Sequence, residues 1–191
     1  MEKVSIHPTN RFCPQTLFLY GTYKEDGTPN FGLFCWFSYC WDKEMGVMAC
    51  IGGEKLTKDI IRRDKVFSAN LVTEPLLPLA DYLGSNSGYE AEKMDISIEV
   101  ERGEILNVPI LKASPWVFEL EVAQSVNLDD GEIFICKVRN TLAAKELMDE
   151  SKSVEERVRF AAPALAMGYE RYLSVNPVPI GEWGKWKDLK V

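Results

Sequence analysis

Residues 26–61, DGTPNFGLFCWFSYCWDKEMGVMACIGGEKLTKDII, combine a turn, two apolar strand-like runs and the polar opening of a helix. Asp26-Gly27-Thr28-Pro29 is turn chemistry, in which glycine accepts positive φ and proline presets φ where the next strand starts. Residues 30–39 then read as one strand. A second, 45–51, is a short apolar run that ends at Gly52-Gly53, where main chain is able to approach a neighbour closely. Directly after it, Leu56, Ile60 and Ile61 share one face of a helix over 55–63, and the first turn of that helix carries Lys55 and Thr57. Free backbone N–H groups, a hydroxyl and an ammonium gathered at a helix start suit an anion, with phosphate the natural guest. A Gly-Gly before a helix is by itself more often a plain connection with a cap. The string is no Walker loop, and Gly-x-Gly-x-x-Gly occurs nowhere, so neither a nucleotide triphosphatase nor a dinucleotide fold is indicated.

Working outward, 15–23 reads as a strand paired through the 26–29 turn, 66–72 as another, and 74–83 as a short helix with Pro75 and Pro78 near its first turn. GSNSGYEAEKM (84–94) is a polar, glycine-bearing loop of the size that is usually functional or covers a partner. Residues 96–110 are weakly patterned. Residues 116–126 alternate, with Phe118, Leu120 and Val122 opposite Val117, Glu119 and Glu121, and a turn at 127–131 leads to a partner strand over 132–141. Helical segments are predicted at 143–149 and 154–162 and a last strand at 168–175. Trp183 and Trp186 in the tail, about 176–191, are expected to dock on the body or on a second subunit. With no repeat and no linker, 1–191 reads as one domain.

At 191 residues and 46% hydrophobic, the chain has the length for one substantial core. A net charge of −7 repels polyanions, which disfavours nucleic acid and anionic membranes as partners. No apolar run is long enough to span a bilayer and residues 1–11 lack a signal-type apolar core, so a cytoplasmic location is expected. The five cysteines are odd in number and widely spaced, which suits reduced thiols. With His7 the only histidine, histidine-based metal sites and Ser-His-Asp or Cys-His catalysis lack raw material. No metal site is expected, and no catalytic side chain is singled out. The pairs Asp129-Asp130 and Glu155-Glu156 read as a hairpin turn and a solvated helix face.

The order of elements, together with TLFLYGTYKEDGTPN, FGLFCWFS, GGEKLTKDI, VFSANLV, SGYEAEKM and VFELEVAQSVNLDDGEIFICKV, resembles the flavin reductase family. The resemblance implies a mainly β fold with flanking helices: a six-stranded Greek-key split β-barrel of the FMN-binding type, usually a homodimer with the flavin near the subunit interface. By position, Asn30, Phe34, Cys35, Trp36 and Phe37 would line the isoalloxazine, largely through backbone groups. Ile51, Gly52 and Gly53 would pass close to the ring or ribityl chain, and Lys55 and Thr57 would hold the phosphate. The implied activity passes electrons from NADH or NADPH through FMN to a small-molecule or protein acceptor. An FMN-loaded electron carrier of the flavoredoxin kind is the alternative, and a noncatalytic ligand-binding or dimerisation barrel is the third class. Because the cofactor carries the redox chemistry, a chain without an acid/base dyad or nucleophile can still be an enzyme. Three departures stand out. Cys35 occupies a position where the family leads one to expect Ser or Thr, 39–45 lacks a proline pair, and no Arg or His precedes Lys55, which leaves Arg62 and Arg63 as substitute phosphate cations.

Overall fold

The computed structural model describes residues 1–168, 170–181 and 183–185. Its strands and helices follow the chain as β1 Gln15–Thr16, β2 Phe18–Tyr23, β3 Pro29–Phe34, β4 Phe37–Asp42, β5 Glu44–Gly52, α1 Leu56–Asp64, β6 Val66–Leu71 and α2 Leu77–Ser85. They continue as β7 Val100–Arg102, β8 Pro109–Leu111, β9 Trp116–Leu128, β10 Gly131–Ala143, α3 Val154–Ala161, β11 Ala164–Met167 and β12 Arg171–Ser174.

The run over 30–39 is not one straight strand. It breaks at Cys35-Trp36, where the Phe37 N–H turns back to donate to the Cys35 carbonyl at 2.9 Å. That break is what closes the barrel. Seven strands pair antiparallel in the order β3-β2-β6-β9-β10-β5-β4, so β3 and β4 lie at opposite edges of the sheet. In a flat sheet those edges would stand ~29 Å apart at about 4.8 Å per strand. The three residue steps from Phe34 to Phe37 reach at most about 11 Å. The sheet therefore curls until its edges meet, and β3 and β4 together act as one bent strand of a six-stranded barrel.

Inside the barrel pack Phe18, Tyr20, Val47, Ile51, Phe67, Phe118, Leu120 and Phe134. Outside β2, Leu17 and Leu19 join Ala80 and Leu83 of α2 in a second apolar layer. Being buried on both faces, β2 shows a continuous apolar run where a half-exposed strand would alternate. Helix α1 carries the chain between β5 and β6, which are not neighbours in the sheet, and Ile61 enters the barrel core from it. This packing fixes the start of α1 against β3.

Elsewhere the structure departs from the sequence pattern. Residues 143–149 form only a 3₁₀ turn, Lys145–Leu147, because Ala143 still belongs to β10 and pairs with Trp116. The segment 96–110 contains β7 and the first two residues of β8, whose Leu111 joins the layer on α2. The expected strand over 168–175 is the second half of a hairpin formed by β11 and β12. Trp183 is fully exposed and does not pack on the body, and Trp186 lies outside the described residues. No helix among the described residues is long and apolar enough to cross a membrane.

Candidate functional site

Helix α1 starts without a side-chain cap: its N-cap residue is Lys55, which has no acceptor to offer. An uncapped start leaves N–H groups and the positive end of the helix dipole for another acceptor. The first turn lines a cavity of about 170 Å³, together with Gly32, Phe34, Gly88 and Lys93. Lys93 is 4% exposed. Among the described residues its ammonium makes no ion pair, and the tip is not sealed off but opens onto the cavity. Burial, and after it the positive charges of Lys55 and Lys24, push its pKa down from 10.5 to about 8. Glu54 is the carboxylate in the lining, against the two cations Lys55 and Lys93.

The floor of the cavity is polar and ordered. The Asn30 amide, fully buried, donates to Thr57 Oγ1 at 3.0 Å and to Thr22 Oγ1 at 3.2 Å. Since Thr57 Oγ1 accepts from Asn30, its own hydrogen is left for a ligand. Asn30 Oδ1 is buried and has no partner. A Cβ built on Gly32 would come within 3.0 Å of Thr57 Oγ1, so glycine in the strand keeps this floor open.

The wall comes from the loop after α2. Ser85, Asn86, Ser87 and Gly88 face the cavity, and a Cβ on Gly88 would lie 2.9 Å from both Asn30 Oδ1 and Leu56 Cβ. Tyr82 donates its hydroxyl to the Lys93 carbonyl at 3.2 Å, and Tyr89 donates to the Asp59 carboxylate at 2.6 Å. That bond, the largest cause, raises the Tyr89 phenol to about 12. The loop is thus tied at both ends to helices.

Of the sequence-predicted residues, Asn30, Phe34, Lys55 and Thr57 gather at this one corner. Trp36 is half exposed and lies over Gly52, where a Cβ would stand 3.5 Å from the indole. Beside it is a depression of about 300 Å³ lined by Met48, Cys50 and Ile133. Phe37 also borders this depression while its ring packs on Phe18 with centroids 4.3 Å apart, and Ile51 is fully buried in the barrel. Cys35 is half-buried against the α2 layer, and desolvation there raises its thiol pKa. Gly53 has φ 65°, the left-handed region where glycine is at ease. Both its backbone groups are engaged, with N–H donating to Asp130 O at 3.0 Å and C=O accepting from the Lys58 ammonium. Arg62 pairs with buried Glu132, and Arg63 with Asp64, Glu25 and the Tyr23 carbonyl, so neither serves the cavity. Lys93 stands there instead.

A family model described as flavin reductase like domain matches residues 10–164. The chain belongs to this family. Among solved structures, it is similar to flavoredoxin from Methanosarcina acetivorans, with a TM-score of 0.85, 19% identity and 98% of each chain covered. It is similar to flavoredoxin of Desulfovibrio vulgaris (Miyazaki F), with a TM-score of 0.86, 19% identity, and 97% and 100% of the two chains covered. An FMN-binding protein from Thermus thermophilus follows at a TM-score of 0.77 and 20% identity, with 95% of this chain and 98% of that one covered. At these identities the likeness establishes a shared fold. A protein from Aeropyrum pernix is 22% identical over 137 residues, 71% of this chain, and the chain spans about half (52%) of that relative's length.

Lys93 and the 85–88 wall are the site features that sequence reasoning missed. The surrounding loop stood out by composition, but a lysine in Ala-Glu-Lys-Met looks like any solvated lysine. What sets it apart is its place in a cavity lining beside Gly32 and Lys55, residues far from it in the chain.

Proposed function

We propose that the chain holds FMN non-covalently and works as an oxidoreductase, passing electrons from reduced pyridine nucleotide through the flavin to a small acceptor or a protein partner. The observation that carries this reading is the Lys93 ammonium, without an ion-pair partner among the described residues and facing the cavity beside the uncapped start of α1. A buried cation without a partner is costly, and an anion of fixed position removes that cost. A phosphate monoester fits the set: Lys55 and Lys93 supply charge, first-turn N–H groups and the Thr57 hydroxyl supply hydrogen bonds, and Asn30 fixes the hydroxyl.

FMN, when bound, supplies the redox chemistry. The chain's part is placement. From the phosphate corner the ligand would follow the end of β3 past Phe34 toward Trp36, with the Met48–Cys50 depression as an apolar berth for a flat ring. Trp36, Trp41, Met45 and Met48 are exposed along β4 and β5, and Trp183 is exposed in the tail. Such a surface supports a homodimer that would cover the ring's berth and exclude water from it.

End-to-end similarity to two flavoredoxins favours a second reading, an FMN-loaded electron carrier that takes its electrons from a protein. One experiment separates the readings. The visible spectrum is recorded on the protein as purified and after loading with FMN, and NADH or NADPH is then added without oxygen. Bleaching of the oxidised-flavin band at a catalytic rate supports the reductase. Bleaching by dithionite alone supports the carrier, and a protein that takes up no FMN refutes both.

A further inference from the structure

Two cavities lie back to back at this corner. The phosphate cavity shares Leu56 and Gly88 with a second depression of about 420 Å³, lined also by Lys24, Asp26, Ile60 and Tyr89. What separates them is one layer, the backbone of Gly88 resting on Leu56. The layer is held from the far side, where Tyr89 grips Asp59, one turn into α1, at 2.6 Å. A ligand that ends in a phosphate monoester stops at this layer. A dinucleotide that continues in the same direction must carry its second phosphate and adenosine through it.

We infer that the Gly88-Tyr89 strap, latched to Asp59, selects a terminal phosphate monoester over a dinucleotide, so that the corner takes FMN and turns FAD away. The inference rests on the FMN reading above and names the residues that impose it. Charge beyond the strap points the same way. Glu25 and Asp26 border the second depression, and the guanidinium of Arg63 is already shared between Glu25, Asp64 and the Tyr23 carbonyl. A second phosphate there meets two carboxylates beside the single ammonium of Lys24, with Arg63 already engaged. The strap residues are positioning residues: they touch Leu56, Asn30 and Asp59, and act on the ligand by keeping the layer shut.

The test is fluorescence titration of flavin-free protein with FMN, FAD and riboflavin, in the full chain and in Tyr89→Phe and Asp59→Ala. Both residues are exposed, so the variants keep the fold. The unaltered protein is expected to bind FMN at least tenfold more tightly than FAD. Each variant should raise FAD affinity by about fivefold, the worth of one solvent-exposed hydrogen bond, while FMN affinity stays within about twofold. A latch with a merely structural role would weaken both flavins alike, and that result overturns the inference. Equal binding of FMN and FAD by the unaltered protein also overturns it and leaves the FMN reading standing. Failure to bind any flavin overturns both.

Discussion

The molecule gathers backbone N–H groups around a negative charge in one place and leaves a like arrangement open in another. Behind β9, the Glu119 carboxylate is fully buried and accepts from the N–H groups of Glu104, Ile105 and Leu106 at 3.0, 3.0 and 2.6 Å. The Asn140 amide adds a fourth bond at 2.8 Å. Gly103 permits the approach, since a Cβ there would stand 2.6 Å from the carboxylate. At the start of α1 the donors, the hydroxyl and two lysines converge in the same way, but among the described residues no carboxylate occupies their focus. The first arrangement is complete within the protein and organises a loop. The second is incomplete, and the incompleteness is the ground for proposing it as a binding site.

The largest expected effect breaks the complete site. Glu119→Ala takes the acceptor from three backbone donors and one amide in a partly buried loop, which should cost about 3 kcal/mol of stability, read as a lower urea midpoint. If the midpoint holds, the loop is not organised by Glu119. The open site should behave in the opposite sense. Lys93→Ala removes a desolvated cation that has no ion-pair partner among the described residues, so the flavin-free protein should lose no stability, while FMN binding should weaken by about 2 kcal/mol in a fluorescence titration. A variant that melts earlier and binds FMN normally would make Lys93 structural.

Proton linkage sharpens the contrast further. The Lys93 pKa is lowered to about 8, and a bound phosphate favours the charged form, so binding takes up a proton once pH passes that value. FMN affinity should fall by about tenfold from pH 7 to pH 9. In the flavin-free protein the sign is reversed: a lysine whose pKa is depressed on folding makes stability rise with pH between about 8 and 10.5. Titrations in Lys93→Ala should lose the slope; a slope that persists assigns it to another group.

How far these features were readable in the sequence follows from how local they are. Lys55 and Thr57 sit in one short string with the glycines and the helix start, so the corner was visible there. The β9–β10 hairpin was visible for the same reason, since its alternation and turn are contiguous, and the strands prove longer than predicted, Trp116–Leu128 and Gly131–Ala143. The bend at Cys35-Trp36 was not. An apolar run with aromatic residues on both faces looks the same straight or bent, and what forces the bend is the meeting of two sheet edges. Glu119 read as one member of an alternating strand because its donors lie 13 to 15 residues away. The inward turn of Phe37 and Ile51 likewise depends on which face of a closed barrel each strand presents.

The smallest expected effect tests whether an unpaired polar group is by itself enough to mark a site. Tyr20 is fully buried, and its hydroxyl has no partner. Its ring stacks on Phe34 at 4.6 Å and tilts against Phe67 at 5.1 Å, and burial is the first cause that raises its pKa well above 10. Unlike Lys93, it lines none of the cavities described above and lies among barrel side chains with no room for a guest. If a cavity is the necessary second condition, Tyr20→Phe should keep the packing, remove an unsatisfied hydroxyl and raise stability by about 1 kcal/mol. FMN affinity should stay the same, because the ring that supports Phe34 is retained. A lower urea midpoint would mean that the phenol is satisfied inside the barrel. A loss of FMN affinity would extend the binding site through Phe34 into the core, and the distinction between the filled and the open arrangement would then have to be drawn one layer deeper.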